Sequence, residues 1–149
     1  MHNITRPRAL LTTRIVWACL IAGQALFAAG IALLEARNAL PGGGDARMHR
    51  TLFVISLVMA GVLIPLGYFL RLQTYKRYWQ GDAIHPQGYY TGNLILLALC
   101  ELVGIVSLLG VFITAQWWPY ALGAGVALLV QLINWPTGLP MEPADLTLE

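Results

Sequence analysis

Four apolar stretches, each close to the roughly 20 residues that a bilayer crossing requires, constrain this chain more than any other feature of its sequence. They run from Ile15 to Leu34, Leu52 to Leu70, Leu94 to Ala115 and Trp117 to Trp135. Of the 149 residues, 58% are hydrophobic and 11% charged, against about 25% charged in a soluble domain. The remaining segments are too short for a separate soluble domain. The chain therefore reads as one membrane domain over residues 1–149, an all-α four-helix transmembrane bundle of two antiparallel hairpins. Its helices are expected at about 15–34, 52–79, 92–115 and 117–135, with a short disordered tail at 136–149. The first apolar run exceeds the roughly 7–15 residues of a signal-peptide core, so it is read as an uncleaved helix.

The cations orient the bundle. Arg6, Arg8 and Arg14 precede the first helix and Arg71, Lys76 and Arg77 follow the second, against Arg37, Arg47 and Arg50 in the loop between them. Short loops rich in Lys and Arg stay in the cytoplasm, so both termini are expected there. Interfacial aromatics agree: Trp17, Tyr75, Tyr78, Trp79, Tyr89, Tyr90 and Trp135 fall at the cytoplasmic level, Trp117, Trp118 and Tyr120 at the outer one. Arg71, Lys76, Arg77 and Trp79 continue the second helix as an apolar edge bounded by cations, suited to anionic lipid headgroups. A net charge of +2 is too small to argue for nucleic acid as a partner.

Along the first helix Ala18, Ala22, Ala25 and Ala29 recur at helical spacing and form a small-residue face where another backbone can approach; Gly104 is assigned the same packing role in the third helix. Pro41 and the three glycines after it make a flexible outer loop, and no Gly-Lys-Ser or Gly-Lys-Thr follows them as a phosphate-binding turn would require. Pro65 is expected to kink the second helix. Pro119 suits the first turn of a fourth helix tightly paired with the third.

One carboxylate, Glu101, lies near the middle of the third stretch, and Gln24 lies near the middle of the first. Helices 1 and 3 run the same way, so the two side chains can meet at one depth. A charge at membrane depth is costly and must be held neutral, paired inside protein, or used in an ion path. Two readings stay open. Glu101 is either a neutral structural carboxyl bonded to Gln24, or a carboxyl that loads and releases a proton or sodium ion.

The run Leu99-Cys100-Glu101-Leu102-Val103-Gly104-Ile105-Val106-Ser107-Leu108-Leu109 resembles the ion-carrying helix of rotor-ring proteolipids, the c subunits of F-type and V-type ATPases. That resemblance implies that Glu101 is the ion carboxylate and Gln24 a second ligand. The first helix lacks the regular glycine spacing of that family, and the loop after the second helix lacks its short Arg-Asn-Pro or Arg-Gln-Pro signature. The whole layout is similar to four-helix bacterial membrane proteins with a third helix of this kind, which implies a bacterial inner membrane.

Other chemistries find no pattern. His2, His49 and His85 fall in separate polar segments without the spacing of metal ligands, and Cys19 and Cys100 lie inside apolar stretches where a thiol packs as a small hydrophobe. No catalytic set, metal site or cofactor motif is expected. The sequence reads as a small non-enzymatic membrane protein, a subunit of a larger membrane assembly or a homo-oligomer, whose partners are lipid and other transmembrane helices.

Overall fold

A computed structural model describes residues 5–43 and 45–142. The protein is an all-α four-helix bundle. Its helices are α1 (Arg6–Ala36), α2 (Ala46–Arg77), α3 (Pro86–Thr114) and α4 (Tyr120–Ile133), with a two-residue hairpin of β1 (Trp79–Gln80) and β2 (Ala83–Ile84) between α2 and α3. α1, α2 and α3 are long and apolar enough to cross a membrane; α4 is a shorter apolar helix. These features are those of a membrane-embedded protein.

Local chemistry sets the helix ends. Pro7 lies in the first turn of α1, where a missing amide hydrogen removes no internal bond. The Asp45 carboxylate caps α2 by accepting from the Met48 amide at 2.8 Å, and His85 Nδ1 accepts from the Gln87 amide at 3.3 Å before Pro86 opens α3. α1 begins at Arg6 rather than Ile15, and α3 at Pro86 rather than 92, because the polar residues before each apolar stretch continue the helix into the interface. α2 ends at Arg77, before Trp79, where the chain turns into β1. α4 has 14 residues, about 21 Å of axial rise, against a hydrocarbon thickness of about 30 Å. Pro119 and Pro136 bound it on either side, since proline removes a helix donor and disfavours helical geometry in the residue before it.

α3 is the axis of the fold. Half of its most apolar window is buried inside the bundle, against 11% for α1 and for α2. It packs on α2, α4 and α1, whereas α1 and α2 each reach α3 in preference to one another. Contacts at the two ends give the directions. At one end Trp17 Nε1 donates to the Gln131 carbonyl at 2.8 Å and Asn93 Nδ2 to the Tyr75 hydroxyl at 2.8 Å; at the other, the Tyr120 hydroxyl donates to the His49 carbonyl at 2.9 Å. α1 and α3 are thus parallel, with α2 and α4 antiparallel to them. The tight α3–α4 pair turns through Ala115, which adopts left-handed backbone geometry (φ 53°).

Two apolar clusters fill the ends of the bundle. Ala9, Tyr75, Ile84, Tyr89 and Met141 form one; Ile31, Leu108, Val111 and Tyr120 form the other. The outer surface is apolar as well: Leu26, Leu57, Phe69 and Leu129 all face outward, the reverse of a helix bundle in water. Part of the segment expected as a disordered tail is ordered instead. The Gly138 amide donates to the Tyr89 hydroxyl at 3.1 Å and Met141 is buried, because this segment closes the apolar cluster beneath α1 and α3. Residues 143–149 lie outside the described residues.

Three helices meet most closely at Gly123. The Ser56 and Ser107 hydroxyls hydrogen-bond at 2.7 Å between α2 and α3, and a Cβ at Gly123 of α4 would stand 2.3 Å from Ser107 Oγ and 2.9 Å from Ser56 Oγ. Small residues at such crossings let backbones approach where no hydrophobic effect drives association. Gly123→Val is expected to destabilise the protein by about 1–3 kcal/mol, the cost of overpacking a filled site. Thermal or denaturant unfolding in detergent micelles measures it, and an unchanged midpoint would show that the crossing yields freely.

Candidate functional site

Between the two apolar clusters lies a polar layer built on Glu101. Glu101 projects from α3 one turn before Gly104, and Gln24 reaches it from α1: Gln24 Nε2 donates to Glu101 Oε2 at 2.7 Å. The approach depends on Gly104, where a Cβ would stand 2.4 Å from Gln24 Nε2; any larger residue would occupy the space that the amide fills. A second amide, not singled out from the sequence, completes the arrangement. Gln131 of α4 donates from Nε2 to the same Glu101 oxygen at 3.2 Å. Three helices are therefore joined at one carboxyl oxygen.

The two glutamines are buried, Gln131 completely, while Glu101 is half-buried. Glu101 Oε1 lies toward Gly23 of α1, 3.8 Å from the place a Cβ there would take. Gln131 Oε1 is buried and finds no hydrogen-bond partner among the described residues. The layer thus contains two amide N–H groups committed to one acceptor and one amide oxygen left without a donor. Beside it, a cleft of about 150 Å³ opens between α1 and α4, running from Trp117 to Gln24 past Ala25, Ala28, Ala124 and Gly125.

The other residues predicted for function fall in different places. Ala18, Ala22, Ala25 and Ala29 face outward from α1; of these only Ala25 lines the cleft. The buried side of α1 is instead the row Ala9, Thr13, Gln24 and Ile31. Helical spacing of alanines marks a surface that another helix can approach, and among the described residues no helix covers it. Gly104, assigned to helix packing, lies directly beneath the Gln24 amide.

Arg71 is engaged inside the protein. Its Nε donates to the Tyr75 hydroxyl at 3.0 Å and an Nη to Asn134 Oδ1 at 2.6 Å, with the guanidinium 5.2 Å from the centre of the Tyr75 ring. Asn134, just past the end of α4, also bonds the Tyr68 hydroxyl, and Asn93 binds Tyr75 from α3. This network ties α2, α3 and α4 at the same end as the polar segments before α1. Lys76 and Arg77 do face outward, and Trp79 is exposed with its indole N–H donated to the Gly81 carbonyl at 2.7 Å.

Arg14 joins the network from α1, donating to the Pro136 carbonyl at 3.1 Å and stacking over Trp135. Gln131, Asn134 and Asn93 could have been suspected from sequence as strongly polar side chains inside or at the edge of apolar helices, where a partner is nearly obligatory. Which partner each takes depends on how the helices are arranged around α3.

Comparison of the chain with protein-family models, with curated proteins and with solved structures finds no match. The reading of the site therefore rests on its geometry. A double-mutant cycle of Gln24→Ala and Glu101→Ala should give a coupling of about 1 kcal/mol, within the range found for hydrogen bonds between membrane helices. Unfolding in micelles measures it; additive effects would mean that the pair is merely adjacent.

Proposed function

We propose that this is a small non-enzymatic integral membrane protein, working as a subunit of a larger membrane assembly or as a homo-oligomer, in which Glu101 is a structural junction. The observation that carries this reading is the convergence of Gln24 and Gln131 on one oxygen of Glu101. Burying a carboxyl is costly unless it is hydrogen-bonded, and here donors from two other helices converge on its Oε2. The outward alanine face of α1 supports a partner helix beyond the chain, since small residues at that spacing serve close helix packing. The cation distribution supports cytoplasmic termini, and a bacterial inner membrane fits the layout.

A second reading has one specific observation in its favour. Gln131 Oε1 is buried without a donor and Glu101 Oε1 is not bonded, so the layer has two oxygens that a proton or a sodium ion could complete. This accords with the resemblance of α3 to the ion-carrying helix of rotor-ring proteolipids. The apolar surroundings of the layer favour the structural reading, because the cleft that reaches Gln24 is lined, apart from Gln24 and Trp117, by alanine, glycine and leucine.

Glu101→Gln separates the two. The amide keeps an oxygen for Gln24 and Gln131, so in the structural role the helical content, the unfolding midpoint and the oligomeric mass in detergent should stay nearly unchanged. Dicyclohexylcarbodiimide should leave the wild type unmodified. Selective labelling of Glu101, with a rate that sodium or low pH changes, would transfer support to the ion-binding reading.

Orientation is testable independently. Single cysteines introduced at residues 8 and 77, in a Cys19→Ser, Cys100→Ser background, should be protected from membrane-impermeant maleimide in intact cells, and one at residue 47 should react. The opposite pattern would invert the proposed topology.

A further inference from the structure

A cleft of about 230 Å³ lies between the first turns of α1 and α3, lined by Arg8, Ala9, Thr12 and Tyr90. Arg8 and Thr12 are four residues apart and share one side of α1, and Tyr90 packs against the cluster that contains Ala9. Three side chains that carry hydrogen-bond donors therefore border one space. None of them has an internal partner among the described residues. The other helical threonines whose hydroxyls are bonded, Thr13, Thr51, Thr74 and Thr114, each return to a carbonyl one turn back, and Thr12 does not. The hydroxyls of Tyr68, Tyr75, Tyr89 and Tyr120 are all engaged, and that of Tyr90 is not. The ion pair found in this region belongs to Arg6 and Glu142, 3.6 Å apart, not to Arg8.

Depth narrows what could fill this cleft. At a rise of about 1.5 Å per residue, Thr12 and Arg8 lie about 18 and 24 Å from Gln24, and Tyr90 about 16 Å from Glu101. The hydrocarbon of a bilayer ends about 15 Å from its centre, and the headgroups extend to about 22 Å. With the Glu101 layer at mid-membrane, the three donors border the headgroup band. A guanidinium and two hydroxyls, with no carboxylate lining the cleft among the described residues, match the acceptor-only oxygens of a phosphate, which arginine binds through two parallel N–H groups.

We propose that the Arg8–Thr12–Tyr90 cleft binds a phosphate group, held in the membrane as the phosphodiester of an anionic lipid. Arg8 supplies the charge and the paired donors, while Thr12 and Tyr90 direct their hydroxyls to the remaining oxygens. The site lies on α1 and α3, apart from Lys76 and Arg77 of α2, and so differs from a general attraction of surface cations to lipid. It does not depend on what Glu101 does.

Native mass spectrometry of the full chain in detergent, titrated with phosphatidylglycerol, tests it. The wild type should retain one tightly bound phosphatidylglycerol. Arg8→Gln should weaken that retention about tenfold, the size of one charge-assisted contact, and Tyr90→Phe by a few fold. Arg47→Gln, which removes an exposed cation at the opposite end of the bundle, should leave it unchanged. Circular dichroism confirms that each variant keeps its helices.

Inorganic phosphate distinguishes the two sources of the group. Failure of millimolar phosphate to displace the lipid supports the phosphodiester, and displacement that disappears in Arg8→Gln supports the same site serving a soluble phosphate. Equal retention by the wild type and Arg8→Gln, or an equal loss in Arg47→Gln, would overturn the proposal.

Discussion

In a bilayer core a polar group has no water to return to, so every donor and acceptor there must find its partner inside the protein. Glu101 is the group on which that constraint bears most heavily, and the position of α3 follows from it. A carboxyl that faced lipid alone would carry its desolvation cost uncompensated. With Gln24 on one side and Gln131 on the other, both bonded to Oε2, the helix that carries Glu101 has to run between α1 and α4. The same helix supplies Ser107 to Ser56 and Asn93 to Tyr75, which brings α2 to its remaining side. Three polar contacts at three depths thus specify an arrangement that apolar packing alone leaves open, since lipid tails are as apolar as the helices.

The small residues divide into those that receive a side chain and those that do not. Gly104 receives the Gln24 amide, Gly110 the Tyr120 ring and Gly92 the Tyr75 ring. These glycines lie along α3 and act as sockets, so that bulky or polar groups from the outer helices reach its backbone. Ala18, Ala22, Ala25 and Ala29 of α1 stay exposed among the described residues. α1 and α2 are consequently peripheral, each held along one side and open to the membrane over the rest.

How much could be read from the sequence follows from the same division. The helices were legible because apolar length and proline punctuation report directly on them. Gln24 and Glu101 were legible as a pair because they are strongly polar, close to mid-depth, and on helices that must run parallel if consecutive segments alternate direction. Gln131 lies in a helix running the opposite way and nearer its end, so its depth follows only once α4 is known to be short and shifted along α3. The internal partners of Arg71 were hidden for a related reason. A cation past an apolar stretch reads as a headgroup contact, yet Asn134 and Tyr75 stand within reach of its guanidinium. The alanine face was read as a packing surface, and its residues are exposed in the bundle, because spacing along one helix says nothing about whether a neighbour exists.

The polar layer is also uneven in a way that bears on its chemistry. Gln24 and Gln131 commit both of their N–H contacts to the same oxygen, which leaves Glu101 Oε1 unbonded and Gln131 Oε1 buried without a donor. An unsatisfied buried acceptor costs about 1–3 kcal/mol, comparable to what either hydrogen bond to Glu101 contributes. A layer selected only to join helices would gain by replacing Gln131 with an aliphatic side chain, which would remove that cost and keep the bond from Gln24. Retaining a second amide makes physical sense where the carboxyl needs two donors at once. Gln24 and Gln131 meet that need from α1 and α4, so a single carboxyl oxygen of α3 ties both neighbours to it at one depth.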